Sequence, residues 1–203
     1  MDAIETIQNR RSCRSYSSIS VPVKTIIELI ELSNQAPSPM TRQNRHFVIV
    51  TSHEKHHLLY EAAFKQNHVL SAPIVIVVVS PPGFLSPEEM IELCNKWNMN
   101  LWNATVQDYS ENIIFMQHYR LWQTTWDVQD AAVAIETLLL AAESIGLGTC
   151  WVGGFDENAV KKALDLPPGS QVHALVTLGY KLEPPDFLRE RKPVDEIVHF
   201  ERW

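Results

Sequence analysis

Apolar residues recur at helical spacing near the start of the chain. Residues 2–9 are predicted to form a short helix, and a second helix over about 23–35 is predicted by Val23, Ile26, Ile27 and Ile30. The run Ala36-Pro37-Ser38-Pro39 ends this helix. Proline cannot continue the hydrogen-bond ladder, and it restricts the residue before it.

Two apolar runs further on are typical of buried strands. They cover 47–51 and 73–80, and residues 53–66 between them have a helical pattern. The second run is β-branched and apolar on both faces, so both faces of its sheet must be covered. The pattern therefore indicates layered packing of the α/β or α+β class.

The second half of the chain again alternates helix and strand patterns. Residues 130–145 carry the strongest helix signal, and they are apolar nearly all round. We expect burial on most sides of this helix, with a second subunit as one candidate neighbour. A strand over 149–152, a helix over about 157–164 capped by Asp156, and a strand over 172–180 follow.

Residues 81–127 differ in character from the rest of this single predicted domain, 1–203. They open on Pro81-Pro82-Gly83 and carry eight aromatic residues: Phe84, Trp97, Trp102, Tyr109, Phe115, Tyr119, Trp122 and Trp126. The last four lie on one helical face. We interpret the segment as a helical excursion that covers a site; a plain core helix is the alternative. The arm over 181–203 has an apolar tip and is expected to dock on another surface.

Composition narrows the function classes. The formal net charge of -7 and pI near 5.6 argue against nucleic acid as the main partner. The longest apolar run, 74–79, is too short to cross a bilayer. Cys13, Cys94 and Cys150 are odd in number and show no CxxC pair, which favours a reducing, cytoplasmic setting.

Two basic clusters stand out in this acidic chain. They are Arg10-Arg11-Ser12-Cys13-Arg14 and Arg189-Glu190-Arg191-Lys192, which together hold six of the 17 basic residues. Arginines beside a serine hydroxyl suit a phosphate group. If the clusters meet in the fold they form an anion site, and if they do not they are a solvated charged surface.

Other chemistries find little support. The sequence has no GxSxG elbow, and Gly146-Leu147-Gly148 follows a helix and lacks the full GxGxxG. His53 and His57 could share a metal, but no HExxH base accompanies them, so no metal site is predicted. Cys150 is interpreted as a core residue, and a catalytic thiol at Cys13 is a weak alternative.

Several short motifs, in their order and spacing, resemble the nitroreductase-like FMN-dependent oxidoreductase family over almost the full length. They are 10–14, Ala36-Pro37-Ser38 with Gln43 and Phe47, Asp130-Ala131-Ala132, 146–155, Leu178-Gly179-Tyr180 and Arg191-Lys192-Pro193. The resemblance implies an α+β fold with a central mixed sheet flanked by helices. It also implies a domain-swapped homodimer with two interfacial FMN sites, and a C-terminal arm reaching across the partner.

Carried over residue by residue, the resemblance assigns a cofactor site. Arg10, Ser12 and Arg14, with Arg11 beside them, would hold the FMN phosphate, ribityl chain and pyrimidine edge, and Arg189 and Arg191 would complete the phosphate site. Pro37, Ser38, Pro39 and Thr41 would line the ring from the other subunit. Gly153 and Gly154 would offer backbone N–H groups to the ring, and Gln66 or Asn67 would touch its pyrimidine edge.

The chain departs from the family pattern in three places. Thr41 stands where the family often has Asn, Asn44-Arg45 stands where it often has Pro-Trp, and Gly153 stands where many members carry an acidic residue. A backbone donor survives the change at Gly153. These departures bear on the ring pocket more than on the phosphate site.

The implied activity is an NADPH- or NADH-dependent reduction of nitroaromatic, quinone or similar electron-poor acceptors. Hydride would pass through the flavin N5 in ping-pong fashion, with Arg14 as electrostatic support and no side chain as catalyst. Two alternatives stay open at this point. One is an FMN-binding module with little turnover, and the other is FMN chemistry of a different kind, such as enone reduction, dehalogenation or flavin cleavage.

Overall fold

The structure is a computed structural model that describes residues 1–99, 113–183 and 190–203, with only the backbone of 113–116. Its sheet has four strands, β1 (His46–Val50), β2 (Ile74–Ser80), β3 (Leu147–Val152) and β4 (Gln171–Tyr180). They lie in the order β1-β2-β4-β3. The β-branched runs in β1, β2 and β4 suit a pleated, buried surface.

The three pairings among these four strands are antiparallel, whereas the resemblance implied a central mixed sheet. Among the described residues, the parallel contribution is an isolated bridge between Ser12 and Thr149. The mixed direction was implied by the resemblance alone, because an apolar pattern on both faces reports coverage by helices and not strand direction. Here helices cover both faces of an antiparallel sheet.

Seven helices surround this sheet within the described residues. They are α1 (Ala3–Asn9), α2 (Val23–Ser33), α3 (His53–Ala62), α4 (Asn67–Ser71), α5 (Pro87–Lys96), α6 (Ile113–Ser144) and α7 (Glu157–Ala163), with short 3-10 turns at Pro39–Thr41 and Val194–Glu196. The predicted cap of α7 is confirmed, because Asp156 accepts from the backbone N–H groups of Asn158 and Ala159 at 2.9 and 3.1 Å.

Alternate residues of β2 pack into two different hydrophobic clusters, one on each face of the sheet. Ile74, Ile76 and Val78 pack toward a cluster that includes Leu29 of α2 and Leu138 of α6. Their neighbours Val75, Val77 and Val79 face a second cluster that contains Leu59 of α3 and Val160 of α7. The predicted covering of both faces is therefore confirmed, and the sheet is the middle layer of three.

Helix α6 is one continuous helix of 32 residues, so the predicted excursion 81–127 does not end before the predicted helix 130–145. Its N-terminal half leaves the sheet and packs Tyr119 and Trp126 against Met90 and Cys94 of α5. The predicted aromatic face is thus partly a small core of its own. Trp102, Tyr109 and the Phe115 side chain lie outside the described residues.

The segment after α1 lies against β3 and β4. Cys13 N–H donates to the Thr149 carbonyl at 2.8 Å, and Ser17 N–H donates to the Tyr180 carbonyl at 2.9 Å. Gly148 makes this close approach possible, because a Cβ there would stand 2.7 Å from both Cβ and Sγ of Cys13. The first basic cluster is therefore attached to the sheet at a fixed place.

We expect Gly148→Ala to destabilise the apoprotein by about 1–3 kcal/mol, since the added methyl meets the Cys13 Cβ, which cannot swing away. Urea unfolding at one fixed protein concentration measures this. Gly153→Ala is the matched control: nothing lies within 4 Å of a Cβ there, so the change should stay within about 0.5 kcal/mol. Equal effects at both glycines would contradict the steric argument.

Candidate active site

The first basic cluster lies beside β3, where Ser12 forms an isolated parallel bridge with Thr149. Burial raises the pKa of the Cys150 thiol, while the charges of Arg14 and Arg10 and a hydrogen bond with Ser12 act against the rise. Arg10 also lies 3.7 Å from Glu136 of α6. The structure thus brings two cations and a hydroxyl to the same stretch of β3, while Cys150 itself stays in the core.

The turn after β3 lies beside a second group of predicted residues. The Gln66 side-chain amide donates to the Gly154 carbonyl at 2.8 Å and to the Ala63 carbonyl at 3.0 Å. Gly153 and Gly154 are exposed, and nothing lies within 4 Å of a Cβ at Gly153. Gln66 therefore holds the turn through the Gly154 carbonyl, while the Gly153 side of the turn stays open.

His68 lies near Arg14 and on the helix that follows Gln66. The sequence analysis did not predict it as a site residue. It is 8% exposed, and its Nε2 has no hydrogen-bond partner among the described residues. Burial lowers the His68 pKa, and the nearby positive charge of Arg14 lowers it further. A buried unsatisfied ring nitrogen costs free energy unless something pairs with it. Its place in the sequence carries no spacing signal, so only the fold reveals it.

The predicted ring loop, Pro37, Ser38, Pro39 and Thr41, makes its contacts elsewhere. Ser38 Oγ accepts from Gln43 N–H at 3.1 Å, and Met40 packs against the small core shared by α5 and α6. Met40, Thr41 and Gln43 have φ of 55°, 53° and 50°, so a tight left-handed turn shapes the loop. Beyond its own turn, this loop therefore packs against α5 and α6.

Arg45 supports this loop from inside the protein. Its guanidinium donates to the carbonyls of Asn34 at 2.9 Å, Ala36 at 2.7 Å and Pro37 at 3.3 Å, and it is paired with Asp130 of α6. Burial raises the pKa of Asp130, and the Arg45 charge opposes that rise. Arg45, which departs from the family pattern, thus forms a buried ion pair with Asp130 that holds the end of α2 against α6.

The remaining predicted residues are less constrained. Arg11 donates to the carbonyls of Gln8 and Arg10, both at 2.7 Å, so its guanidinium is directed toward the end of α1. Arg191 donates to the Glu190 carbonyl at 3.3 Å in an exposed arm. Arg189 lies outside the described residues. Their cofactor contacts stay predictions.

The described residues form neither a metal cluster nor a membrane span. No group of three or more His, Cys, Asp or Glu side chains could hold a metal ion in the part of the chain that the structure describes. None of the described helices combines the length and apolar character needed to cross a membrane.

The geometry defines a class of protein. It is an α+β fold in which a cationic cluster and an open Gly-Gly turn lie beside an antiparallel sheet. The model of the Nitroreductase family matches residues 7–180, and the chain belongs to that family.

Named relatives agree with this assignment. A NADH dehydrogenase of Thermus thermophilus is 29% identical over 200 residues, which cover 98% of this chain and 95% of that protein. The NADPH-flavin oxidoreductase of Vibrio harveyi is 28% identical over 202 residues, which cover 98% of this chain and 73% of that protein. The solved structure of NfrA2 from B. megaterium superposes with a TM-score of 0.78 at 25% identity, covering 100% of this chain and 76% of that one.

The family uses FMN, and this chain is an NAD(P)H-dependent flavin oxidoreductase. The family, the α+β nitroreductase fold, the enzyme class and the cofactor expected from the sequence are confirmed.

We expect Arg45→Met to destabilise the apoprotein by about 3–5 kcal/mol at pH 7.5, because it leaves Asp130 buried without its cation. The unpaired carboxyl should then hold a proton in the folded state at a higher pH than in the unfolded chain. The deficit relative to wild type should therefore shrink between pH 7.5 and 5. Urea unfolding at both pH values measures this.

Arg120→Met is the control for that substitution. Arg120 is an exposed arginine on the same helix as Asp130, so its loss should cost less than about 0.5 kcal/mol. If Arg45→Met cost no more than Arg120→Met, or if its deficit did not depend on pH, the role assigned to the pair would be wrong.

Proposed function

We propose that the protein reduces nitroaromatic, quinone or similar electron-poor acceptors with electrons from NADPH or NADH, using FMN bound at two sites of a homodimer. One observation carries the proposal: Ser12, which stands between Arg10 and Arg14, bridges Thr149 of β3, and the open Gly153–Gly154 turn follows that strand. A phosphate-bearing cofactor with a flat ring needs these two features side by side.

The described residues fit FMN in three respects. Two arginines and a serine suit a phosphate and a ribityl chain. The turn held by Gln66 has no Cβ to keep a ring away from its backbone N–H groups. The buried Nε2 of His68 needs a partner beside Arg14, and the pyrimidine edge of a flavin carries suitable groups.

When bound, FMN supplies the redox chemistry: NAD(P)H gives up a hydride, and the acceptor finally gains two electrons and two protons. The residues of this chain bind and orient. Arg10 and Ser12 would hold the phosphate and ribityl end, together with Arg189 and Arg191. Arg14 would lie near the pyrimidine edge and stabilise the negative charge that the ring gains on reduction.

A homodimer is proposed because the described residues of the predicted site lie in two separate places within one chain. The loop over Pro37, Ser38, Pro39 and Thr41 packs toward α5 and α6, away from the contacts that gather Arg10, Ser12 and Arg14. We infer that it lines the ring held by the other subunit. Large apolar side chains are exposed on α6 and β3, where such a partner would pack: Leu121, Trp122, Val128, Val133 and Trp151.

The cytoplasm is the proposed location. Cys13, Cys94 and Cys150 are buried free thiols, which suits a reducing compartment that also supplies NAD(P)H.

Arg14→Ala should weaken FMN binding by about tenfold, because a hydrogen bond to a charged group is lost. It should also lower the midpoint potential of bound FMN by on the order of 30 mV, since the charge gained on reduction loses its cation. Fluorescence titration of the apoprotein with FMN measures the affinity, and a reference-dye titration measures the potential.

Lys162→Ala serves as the control, because it removes one exposed positive charge from α7. Affinity and potential should then match wild type. An Arg14→Ala protein with unchanged affinity and potential would rule out the role assigned to Arg14. Wild-type protein that binds FMN but does not bleach under NADPH or NADH without air would instead favour the binding-module alternative.

The C-terminal arm offers a test of the proposed dimer. In one chain Phe200 is 86% exposed and Trp203 is fully exposed, so Phe200→Asp should not disturb an isolated subunit. If the arm crosses the partner, the buried charge should raise the dimer dissociation constant by about tenfold or more. Sedimentation equilibrium measures the constant.

Phe64→Asp is the matched control, since Phe64 is also exposed but lies outside the arm. It should leave the dissociation constant unchanged. Equal constants for wild type and Phe200→Asp would show that the arm does not contribute to the interface.

A further inference from the structure

A cavity of about 440 Å³ lies between α5 and the segment that follows the ring loop. It is lined by Arg42, Asn44, Leu85, Glu89, Glu92, Leu93 and Lys96. Four of these residues share one face of α5, at the spacing of successive helical turns. The cavity therefore has one wall of α5 side chains and one wall from 42–44.

The second wall is continuous with the loop proposed to line the flavin ring. Arg42 ends the 3-10 turn Pro39–Thr41. Met40 of that turn packs in the same small core as Met90 and Cys94 of α5. Whatever enters this cavity thus lies next to the loop that faces the ring.

The charge of Arg42 is already compensated inside the protein. Its side chain is 5% exposed and lies 3.2 Å from the Asp127 carboxylate, which also accepts from the Asn44 amide at 2.8 Å. Trp126 covers the guanidinium, with its ring centre 6.0 Å away. Arg42 therefore offers this cavity little net positive charge.

One N–H group of Arg42 is nevertheless available as a hydrogen-bond donor. Its buried Nε has no hydrogen-bond partner among the described residues. A nitro or carbonyl oxygen entering the base of the cavity would supply that partner after a small side-chain shift. This favours an occupant with a neutral oxygen acceptor.

The uncompensated charges come from α5. Glu89 and Glu92 contribute two carboxylates and Lys96 one ammonium group, which lies 5.3 Å from the centre of the Trp97 ring. With Arg42 and Asp127 cancelling, the lining keeps one net negative charge. A carboxylate-bearing ligand would approach two carboxylates, whereas a neutral or cationic ligand would not be repelled.

We propose that this cavity is the acceptor subsite, and that Glu89 and Glu92 make it select neutral or cationic aromatic acceptors over carboxylated ones. The inference rests on the proposed function, because the cavity matters for turnover only if the loop beside it lines the ring. It goes beyond that function by naming the acceptor class and the residues that set it.

The test compares two ligand pairs that differ in charge but hardly in shape. Holoenzyme is titrated calorimetrically with benzamide and with benzoate, and turnover is measured with 4-nitrobenzamide and 4-nitrobenzoate. Wild type should prefer the amide of each pair by about fivefold or more. High salt should reduce this preference, because it screens the carboxylates.

The double variant Glu89→Gln, Glu92→Gln should bring both ratios close to one, with amide binding unchanged. Gln can keep the capping contact that Glu89 makes with Ser86 N–H. Glu88→Gln is the matched control, since Glu88 lies on the same helix but does not line the cavity. It should keep the wild-type ratios.

A wild-type protein without preference, or a preference equally reduced by Glu88→Gln, would overturn the proposal. Benzamide binding that is unaffected by the double variant while the ratios persist would overturn it too. Failure of the proposed function is distinguishable: the flavin would not bleach with NAD(P)H, while the calorimetric ratios would still report on the cavity. Absence of binding by either benzene derivative would exclude the subsite.

Discussion

The candidate site depends on the close contact between the N-terminal segment and the edge of the sheet. Gly148 and Gly179 are directly opposite each other in the β3–β4 pair. A Cβ on the first would meet Cys13, and a Cβ on the second would come within 2.6 Å of Pro73 and 2.9 Å of Tyr16. The paired glycines therefore leave one gap that admits the segment.

Polar contacts then hold the segment in that gap. The Tyr16 hydroxyl donates to the Cys13 carbonyl at 2.7 Å and lies 2.6 Å from Thr177 Oγ1. Burial raises the pKa of Tyr16, so its proton stays in place. Because Arg10, Ser12 and Arg14 are close to this anchor in the sequence, the sheet edge determines where the two guanidinium charges and the Ser12 hydroxyl lie.

Much of the layered fold could be predicted because its signals are local. The alternating burial of β2 follows from a run that is apolar on both faces, and the Asp156 cap follows from one side chain before a helical pattern. Strand direction and the continuity of α6 could not be predicted. The first depends on pairing between distant segments, and the second on the small core around Tyr119 that extends the helix past Asp127.

The two least predictable features of the site are pairs formed over long sequence distances. In the sequence, Arg45 is only a departure from the family pattern. The structure shows that its partner is Asp130, 85 positions later. His68 carries no spacing signal, and its meaning comes from Arg14, which only the fold places nearby. The motif residues Ser12, Gly153 and Gly154 could be assigned because the resemblance fixes them in order along the chain.

The residues proposed to hold the cofactor and those proposed to select the acceptor lie on different elements of the fold. Arg10, Ser12 and Arg14 depend on β3 and the glycine pair. The cavity beside the ring loop depends on α5. Gln123 of α6 holds the segment just before α5, because its side chain accepts from Leu85 N–H at 2.8 Å and donates to the Leu85 carbonyl at 3.1 Å. Substitutions on the cavity face of α5 can therefore alter the charge offered to an acceptor without touching the residues proposed to bind FMN. Because the excursion and the proposed cofactor site use different residues, acceptor selectivity can diverge while the cofactor site stays the same.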